Sequence, residues 1–332
     1  MRKVVWGVLS TAKIGVERVL PGMQKSALCE IRAIASRSLP TARAAAQRLG
    51  IPVAYGSYAE LLADPQIEAV YNPVPNQLHV PLTLQAAEAG KHVLCEKPIA
   101  LTAEEAQRLR AVAGRVHVME AFMVRFHPQW LRARELVREG RVGTLRAVQA
   151  FFSYFNDDAG NIRNRLDTGG GALYDIGCYP IVVGRFLFEA EPVRAVALLD
   201  RDPDFGTDRL TSALVDFGDG RRLDFTVSTQ SVRYQRVQIC GSKARIELQI
   251  PFNAPQGERM LLRVDDGASL EGSSIVTETL AEADQYMLQG DAFSRAVRGE
   301  IELPYGVEDA VRNMRVIDAL FRSEHSGRWE DV

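Results

Sequence analysis

Six short apolar runs alternate with helical stretches over residues 1–122, and no other feature restricts the fold of this chain as much. The runs are Val4–Leu9, Ile31–Ala35, Val53–Tyr55, Ala69–Asn72, His92–Cys95 and Val116–Glu120. Helical stretches fall around Ile14–Met23, Thr41–Leu49, Tyr58–Leu62, Leu78–Ala89 and Ala103–Ala113. Their punctuation agrees: Thr41 and Ser57 stand just before helices, Thr102 is followed three residues later by Glu105, and Gly50, Gly90 and Gly114 close them. Near-continuous apolar strands separated by helices predict a parallel sheet covered on both faces, a doubly wound α/β domain.

The chain has 332 residues, which is long for a single core, so a second domain is expected over 123–332. Its pattern differs. After a helix near Pro128–Glu139, strands dominate: Leu145–Phe155, Val193–Leu199, Leu210–Phe217, Arg222–Ser228, Arg236–Cys240 and Ala244–Leu248. Phe217-Gly218-Asp219-Gly220 holds an Asp-Gly hairpin turn. One helix near Gly171–Phe188 interrupts the strands, and two more, near Asp284–Arg298 and Val307–Arg322, close the chain. Strands in series with segregated helices predict an α+β domain on a mostly antiparallel sheet, with one sheet face left open for a second copy of the chain.

Charge and composition exclude several partner classes. The formal net charge is -2, with no basic stripe interleaved with aromatics, so nucleic acid is not expected. No apolar run reaches bilayer length, and the run from Val4 starts too early for a signal peptide. Four cysteines, Cys29, Cys95, Cys178 and Cys240, lie scattered without metal-ligand spacing. Reduced thiols, no metal site and a cytoplasmic home are the expectation.

Between the first strand and first helix the chain reads Ser10-Thr11-Ala12-Lys13-Ile14-Gly15. On the G-x-G-x-x-G template of dinucleotide-binding turns, Ser10 and Ala12 replace the first two glycines and Gly15 remains. The turn precedes a helix N-terminus at the edge of a parallel sheet, where phosphates bind. Ser10, Thr11, Ala12 and Ile14 are therefore candidate cofactor contacts. The second strand ends in Ala35-Ser36-Arg37-Ser38, without the acid that accepts from an NAD ribose. Arg37 can pair with a 2′-phosphate and Ser36 can donate to it, so NADP is the expected cofactor and NAD the alternative.

Two further segments carry chemistry. Glu96-Lys97-Pro98 closes the fifth apolar run, at the sheet edge where open α/β folds place ligands. Asp175 and Tyr179 stand four residues apart at the start of an apolar helix, after Gly169-Gly170-Gly171. A lysine, a carboxylate and a phenol can move a proton off a hydroxyl group.

These segments resemble the Gfo/Idh/MocA oxidoreductases, most closely the group that contains dimeric dihydrodiol dehydrogenases and NADP-dependent D-xylose dehydrogenases. The matching stretches are Gly7–Ile14, Tyr71-Asn72-Pro73-Val74-Pro75-Asn76 with His79, Gly90–Pro98, Glu120–Pro128, Gly169–Pro180 and the tail Ser326-Gly327-Arg328-Trp329. The resemblance implies an N-terminal Rossmann domain, and a C-terminal open-faced sheet domain that often forms the dimer surface. It implies Lys97 and Tyr179 as catalytic residues, with Tyr179 where many relatives carry histidine. It also places Asn72, Pro73, Asn76, His79 and Glu96 near the nicotinamide. Asp175 is expected to orient the lysine or a sugar hydroxyl.

Arg125, His127 and Arg165 are candidate substrate-pocket residues or, equally, members of structural salt bridges. The implied activity is NADP-dependent hydride transfer between nicotinamide and an alcohol or carbonyl of an aldose, polyol or dihydrodiol, in a homodimer or higher oligomer. Two alternatives stand beside it: a cofactor-binding regulator without turnover, and a sugar–sugar oxidoreductase that keeps its NADP. Retention of both Lys97 and Tyr179 argues against the first, and the few residues ahead of Val4 against the second.

Overall fold

The computed structural model describes residues 2–332, which form two compact units, 2–123 with Asp284–Met314 and Val124–Ala283 with Arg315–Val332. In chain order the elements begin β1 (Val4–Leu9), α1 (Leu20–Gln24), β2 (Cys29–Ala35), α2 (Leu39–Leu49), β3 (Val53–Tyr55), α3 (Tyr58–Ala63) and β4 (Ala69–Asn72). They continue with α4 (His79–Glu88), β5 (His92–Cys95), α5 (Ala103–Gln107), β6 (Val118–Glu120), α6 (Pro128–Arg138), β7 (Leu145–Phe155) and α7 (Cys178–Phe188). Then come β8 (Arg194–Arg201), β9 (Asp208–Asp216), β10 (Arg222–Ser228), β11 (Gln230–Gly241), β12 (Arg245–Leu248), β13 (Leu261–Asp265) and β14 (Val276–Thr279). The last are α8 (Gln285–Val297), α9 (Val307–Ser326) and β15 (Glu330–Asp331).

In the first unit six strands pair in parallel in the order β3-β2-β1-β4-β5-β6. This is the strand order of doubly wound dinucleotide-binding sheets, with the switch point between β1 and β4. Val4, Trp6 and Val8 of β1 and Ala33, Ile34 and Ala35 of β2 are fully buried, as a sheet covered on both faces requires. Ser57 and Glu60 form a complete capping box on α3, and Thr102 caps α5. The cap of α2 is Ser38, whose hydroxyl accepts from the Thr41 backbone N–H; Thr41 itself lies inside the first turn, which starts earlier than expected because Pro40 fits there.

The helix α8 belongs to this first unit rather than to the second, as a division at 122/123 alone would have placed it. Trp6 is the physical reason. Its ring packs 5.3 Å from Phe293, and its buried indole N–H needs an acceptor, which Ser294 Oγ supplies at 3.3 Å. Lys25–Asp284 at 3.1 Å and the Ser26–Asp291 hydrogen bond fasten the helix start to the end of α1.

The second unit is built on a nine-stranded sheet among the described residues, in the order β14-β13-β12-β11-β7-β10-β9-β8-β15. Pairing is antiparallel except between β7 and β10. Three strands were not anticipated. Leu261–Asp265 and Val276–Thr279 are short and set among turn residues, and Glu330–Asp331 is a two-residue edge on β8. One sheet face buries Val148, Ala150, Phe152, Leu223, Phe225 and Val227, and Gly177 at the entry to α7 lies against Val227 of that face. The other face carries the cross-strand row Leu198, Ser212, Thr226, Phe151 and Arg236. Leu198 there is 80% exposed and Phe155 64%, large apolar side chains on a face that none of the unit's own helices covers.

Among the described residues no helix is long and apolar enough to cross a membrane. No disulfide joins the four cysteines.

Candidate active site

Parallel pairing brings the carboxyl ends of β1, β2, β4 and β5 to one edge of the first unit's sheet, and every candidate cofactor residue follows one of those ends or, like Asn72, forms one. Ser10 takes φ 99°, a backbone region glycine ordinarily supplies and one that costs another residue about 1–3 kcal/mol. Two hydrogen bonds hold it there: its N–H donates to Ala35 O at 2.9 Å, and its Oγ accepts the Ala12 N–H at 3.0 Å. Thr11, Ala12 and Ile14 are half-buried beyond it. At Gly15 a Cβ would sit 3.3 Å from the Tyr71 ring, which is the close helix–strand approach that the third glycine of the template serves. The helix then opens as a π turn, Gly15–Val19, a form found mostly at functional positions.

Beyond β2, Ser36 N–H donates to Tyr55 O at 3.2 Å and Ser36 Oγ accepts from Ser38 N–H at 3.3 Å. Arg37 is exposed beside Tyr58, the first residue of α3.

After β4 and β5 the two loops are tied together. Asn72 is fully buried, and its amide donates to His79 O at 3.2 Å and Thr83 Oγ1 at 3.2 Å. His79 is buried as well. Its Nδ1 lies 2.7 Å from Pro98 O and its Nε2 2.8 Å from Val74 O, while burial pushes its pKa down to about 4 with the Lys97 charge assisting. The neutral ring has one N–H and so donates to one of these two carbonyls, and it fills the space between the Pro73–Asn76 loop and the Lys97–Pro98 loop. Glu96 is oriented from behind: the buried Tyr71 hydroxyl donates to its Oε1 at 2.6 Å, and its Oε2 accepts the Lys97 N–H at 3.3 Å. Burial and the Glu96 charge raise the Tyr71 pKa well above its ordinary value, so Tyr71 remains a donor. Lys97 and Asn76 are half-buried at this edge.

In the second unit, the helix bearing Asp175 and Tyr179 starts where glycine alone fits. Gly171 has φ 117°, and a Cβ there would lie 1.9 Å from Asp208 Oδ1. The Asp208 carboxylate accepts the Leu173 N–H at 2.7 Å and the Thr211 hydroxyl at 2.8 Å, anchoring the helix start to β9. Burial pushes the Asp208 pKa up to about 6. The first turn, Leu173–Gly177, is again a π turn.

The Tyr179 ring is 6% exposed and packs on Phe152 at 5.9 Å and Phe252 at 5.5 Å; Phe252 in turn stacks on Trp130, 6.2 Å away. Asp175 Oδ2 accepts the Tyr154 hydroxyl at 2.6 Å and Arg163 Nε at 2.9 Å.

The three candidate pocket residues differ in their surroundings. Arg165 pairs with Asp167 at 2.6 Å, both more than half exposed at the surface. His127 is the cap of α6: its Nδ1 accepts the Gln129 N–H at 3.1 Å, and burial holds its pKa down to about 4. Arg125 is buried. Sequence reasoning missed Arg163, two positions before Arg165, and Tyr154. In a polar loop nothing distinguishes one arginine from the next, but Tyr154 alternates with Phe155 on β7 and so belongs to the helix-covered face with Val148, Ala150 and Phe152.

The comparisons with known proteins agree with this architecture. Residues 4–126 match the model of an oxidoreductase family with an NAD-binding Rossmann fold, and 130–247 match the GFO/IDH/MocA C-terminal domain. This chain is a Gfo/Idh/MocA oxidoreductase. An oxidoreductase of Rhizobium meliloti is 47% identical over the whole of both chains. A D-xylose 1-dehydrogenase (NADP(+)) of Haloferax volcanii is 39% identical over 98% of each. Among solved structures, KijD10, a 3-ketoreductase from Actinomadura kijaniata in complex with NADP and TDP-benzene, superposes with a TM-score of 0.90 at 30% identity, covering 97% of this chain and 98% of that one.

The Ser10 turn gives a direct test. Ser10→Ala keeps the costly φ and removes the acceptor of the Ala12 N–H, so it should lower stability by about 1–2 kcal/mol. Ser10→Gly loses the same bond but relieves the backbone, and should stay within about 0.5 kcal/mol of the parent. Denaturant unfolding of the three proteins measures this; an alanine variant as stable as the parent would show that the Oγ bond contributes nothing, and a glycine variant no more stable than alanine that the turn is not strained.

Proposed function

We propose that this protein is an NADP-dependent dehydrogenase or reductase acting on a sugar-like secondary alcohol or its carbonyl, with Lys97 and Tyr179 as its acid–base residues. One observation carries the reading: both residues are retained in a chain with a dinucleotide turn, and Tyr179 lies one turn from a carboxylate clamped by two donors. A regulator that only senses a cofactor needs neither. The names of the relatives, a D-xylose dehydrogenase and a 3-ketoreductase, support the substrate class.

The residues at the edge of the first unit fit the cofactor. The backbone and hydroxyls of Ser10, Thr11 and Ala12 would receive the pyrophosphate at the helix N-terminus. Exposed Arg37 and half-buried Ser36, with no acid between Ala35 and Ser38, would hold a 2′-phosphate. Asn76 and Glu96 would flank the nicotinamide side. When bound, NADP supplies the hydride acceptor, and NADPH the donor. Tyr179 takes the proton from the substrate hydroxyl in oxidation and returns one in reduction. A phenol with a reference pKa of about 10 needs a nearby positive charge for this, and Lys97 supplies it.

We infer also that the protein is a homodimer joined through the open face of the second unit's sheet, where Leu198, Phe151 and Phe155 are exposed. Leu198→Glu should weaken the dimer about thirtyfold or more, as loss of a central apolar contact does. Light scattering across a dilution series would show it, and a parent protein monomeric at micromolar concentration would sink the assignment.

The activity itself is tested with purified protein, NADP and a panel of aldoses and dihydrodiols, followed by absorbance of the reduced nicotinamide. Tyr179→Phe should lower kcat by about 10²–10⁴ with NADP binding intact. Lys97→Ala should match it, and the double variant should lose little more than either. Undiminished turnover in Tyr179→Phe would remove the phenol from the mechanism. For the cofactor, Arg37→Ala should raise KM for NADP about 10- to 100-fold and leave KM for NAD nearly unchanged, since only the former loses a charge-assisted contact. Equal losses with both would contradict 2′-phosphate recognition.

A further inference from the structure

Arg163 sits on a loop, 156–171, that holds its own shape. Asn164 is buried and its amide donates to the carbonyls of Asn156 at 3.3 Å and Asp158 at 2.9 Å; the Thr168 hydroxyl donates to Ile162 O at 2.6 Å. The loop is then sewn to the start of the Tyr179 helix. Gly171 N–H donates to Arg163 O at 2.8 Å and Gly170 N–H to Arg165 O at 2.9 Å, and a Cβ on Gly170 would lie 2.4 Å from Arg163 O. The backbone of Arg163 is thereby fixed, and its Nε reaches the same Asp175 oxygen that takes the Tyr154 hydroxyl.

A carboxylate beside a phenol opposes its ionisation, because the two negative charges repel. Asp175 is one turn from Tyr179, so alone it would hinder the step assigned to Tyr179. Arg163 reverses that effect by pairing with Asp175. The Asp175 charge holds the Arg163 guanidinium firmly cationic, and Tyr154 and Tyr179 add to that hold. Tyr154 cannot substitute as base, since burial and then Asp175 push its pKa far above the ordinary phenol range. Around the helix, Phe152 and Phe252 pack the ring, Asp208 anchors the helix start, Arg185 pairs with Glu191 at 2.7 Å, and Arg201 pairs with Glu324 at 2.6 Å. The cation expected from the other unit is Lys97.

We propose that Arg163 is a positioning residue for proton transfer: by neutralising Asp175 it lets the Tyr179 phenol ionise at working pH, while its loop holds the carboxylate in place. The proposal rests on the reading of Tyr179 as the acid–base group.

The test titrates Tyr179 directly by tyrosinate absorbance, taking each whole protein minus its Tyr179→Phe counterpart, without substrate. Kinetics of aldose oxidation with NADP are followed alongside. Arg163→Met should move the Tyr179 midpoint up by about one pH unit or more, and lower kcat at neutral pH about tenfold with activity regained as pH rises. KM for NADP should stay unchanged. Arg163→Lys should restore most of the parent profile. Adding Asp175→Asn to Arg163→Met should bring the midpoint back down, which a purely structural role would not do.

Should Arg163→Met not fold, Arg163→Gln takes its place with the same expected rise in midpoint, and Asp175→Asn, which should lower the midpoint, checks the sign of the carboxylate's effect. An unmoved midpoint in Arg163→Met, a double variant no different from the single, or no Tyr179-dependent step below pH 11 would each overturn the proposal. If Tyr179→Phe keeps full activity while the Arg163 shift is present, the acid–base reading fails and the electrostatic one stands.

Discussion

Parallel pairing governs the first unit. Parallel strands must be joined by crossovers, and strands that all run one way bring their carboxyl ends to the same edge. Ser10, Ser36, Asn72 and Glu96 are distant in sequence, yet each follows directly on a strand of this sheet or, like Asn72, ends one. The polar backbone released at those ends must be satisfied locally or by a ligand. Here much of it is satisfied locally: Ala35 O by Ser10, Tyr55 O by Ser36, Asn72 O by Glu96 N–H at 3.0 Å. What remains directed outward is the helix N-terminus after β1 and the side chains around it.

Behind that edge lies a layer of buried polar groups paired within the protein. Tyr71 steers Glu96, His79 links two loops, and Asn72 joins β4 to α4. Lys91 is also buried, with its Nζ donating to the carbonyls of Asp64 and Ile67 at 2.8 Å each. Buried polar groups of this kind are tolerated only when paired, and paired they fix one geometry. The second unit uses the same device: Asp208 holds a helix start, His127 caps α6, and Trp130 Nε1 donates to Pro251 O at 2.7 Å beside the aromatic cluster around Tyr179.

The fold was legible where periodicity and punctuation agree. All six parallel strands, the capped helices and the long strands Leu145–Phe155 and Arg222–Ser228 follow from apolar spacing, because burial on known faces leaves a regular trace. The strands Leu261–Asp265 and Val276–Thr279 left too short a trace: the first spans five residues, and the second, at the sheet edge, is mostly polar and exposed. The placement of α8 depended on one indole N–H seeking an acceptor, a long-range match that no local pattern encodes. At the site, Lys97, Asp175 and Tyr179 stood out by chemistry and spacing. The choice between Arg163 and Arg165 did not, because both lie in one polar loop and only its internal hydrogen bonds decide which of them reaches Asp175.

Each unit's site helix opens in a π turn, Gly15–Val19 in one and Leu173–Gly177 in the other. Such a turn closes on the fifth residue instead of the fourth, so it carries one residue beyond what an α-helix of the same length would hold. Asp175 lies within that turn, and its carboxylate meets Tyr154 and Arg163. The surplus residue lies outside the register of the fully buried segment Cys178–Phe188. Chain length at this one point can thus change without shifting the core, which separates the aim of the carboxylate from the packing of the helix that carries it.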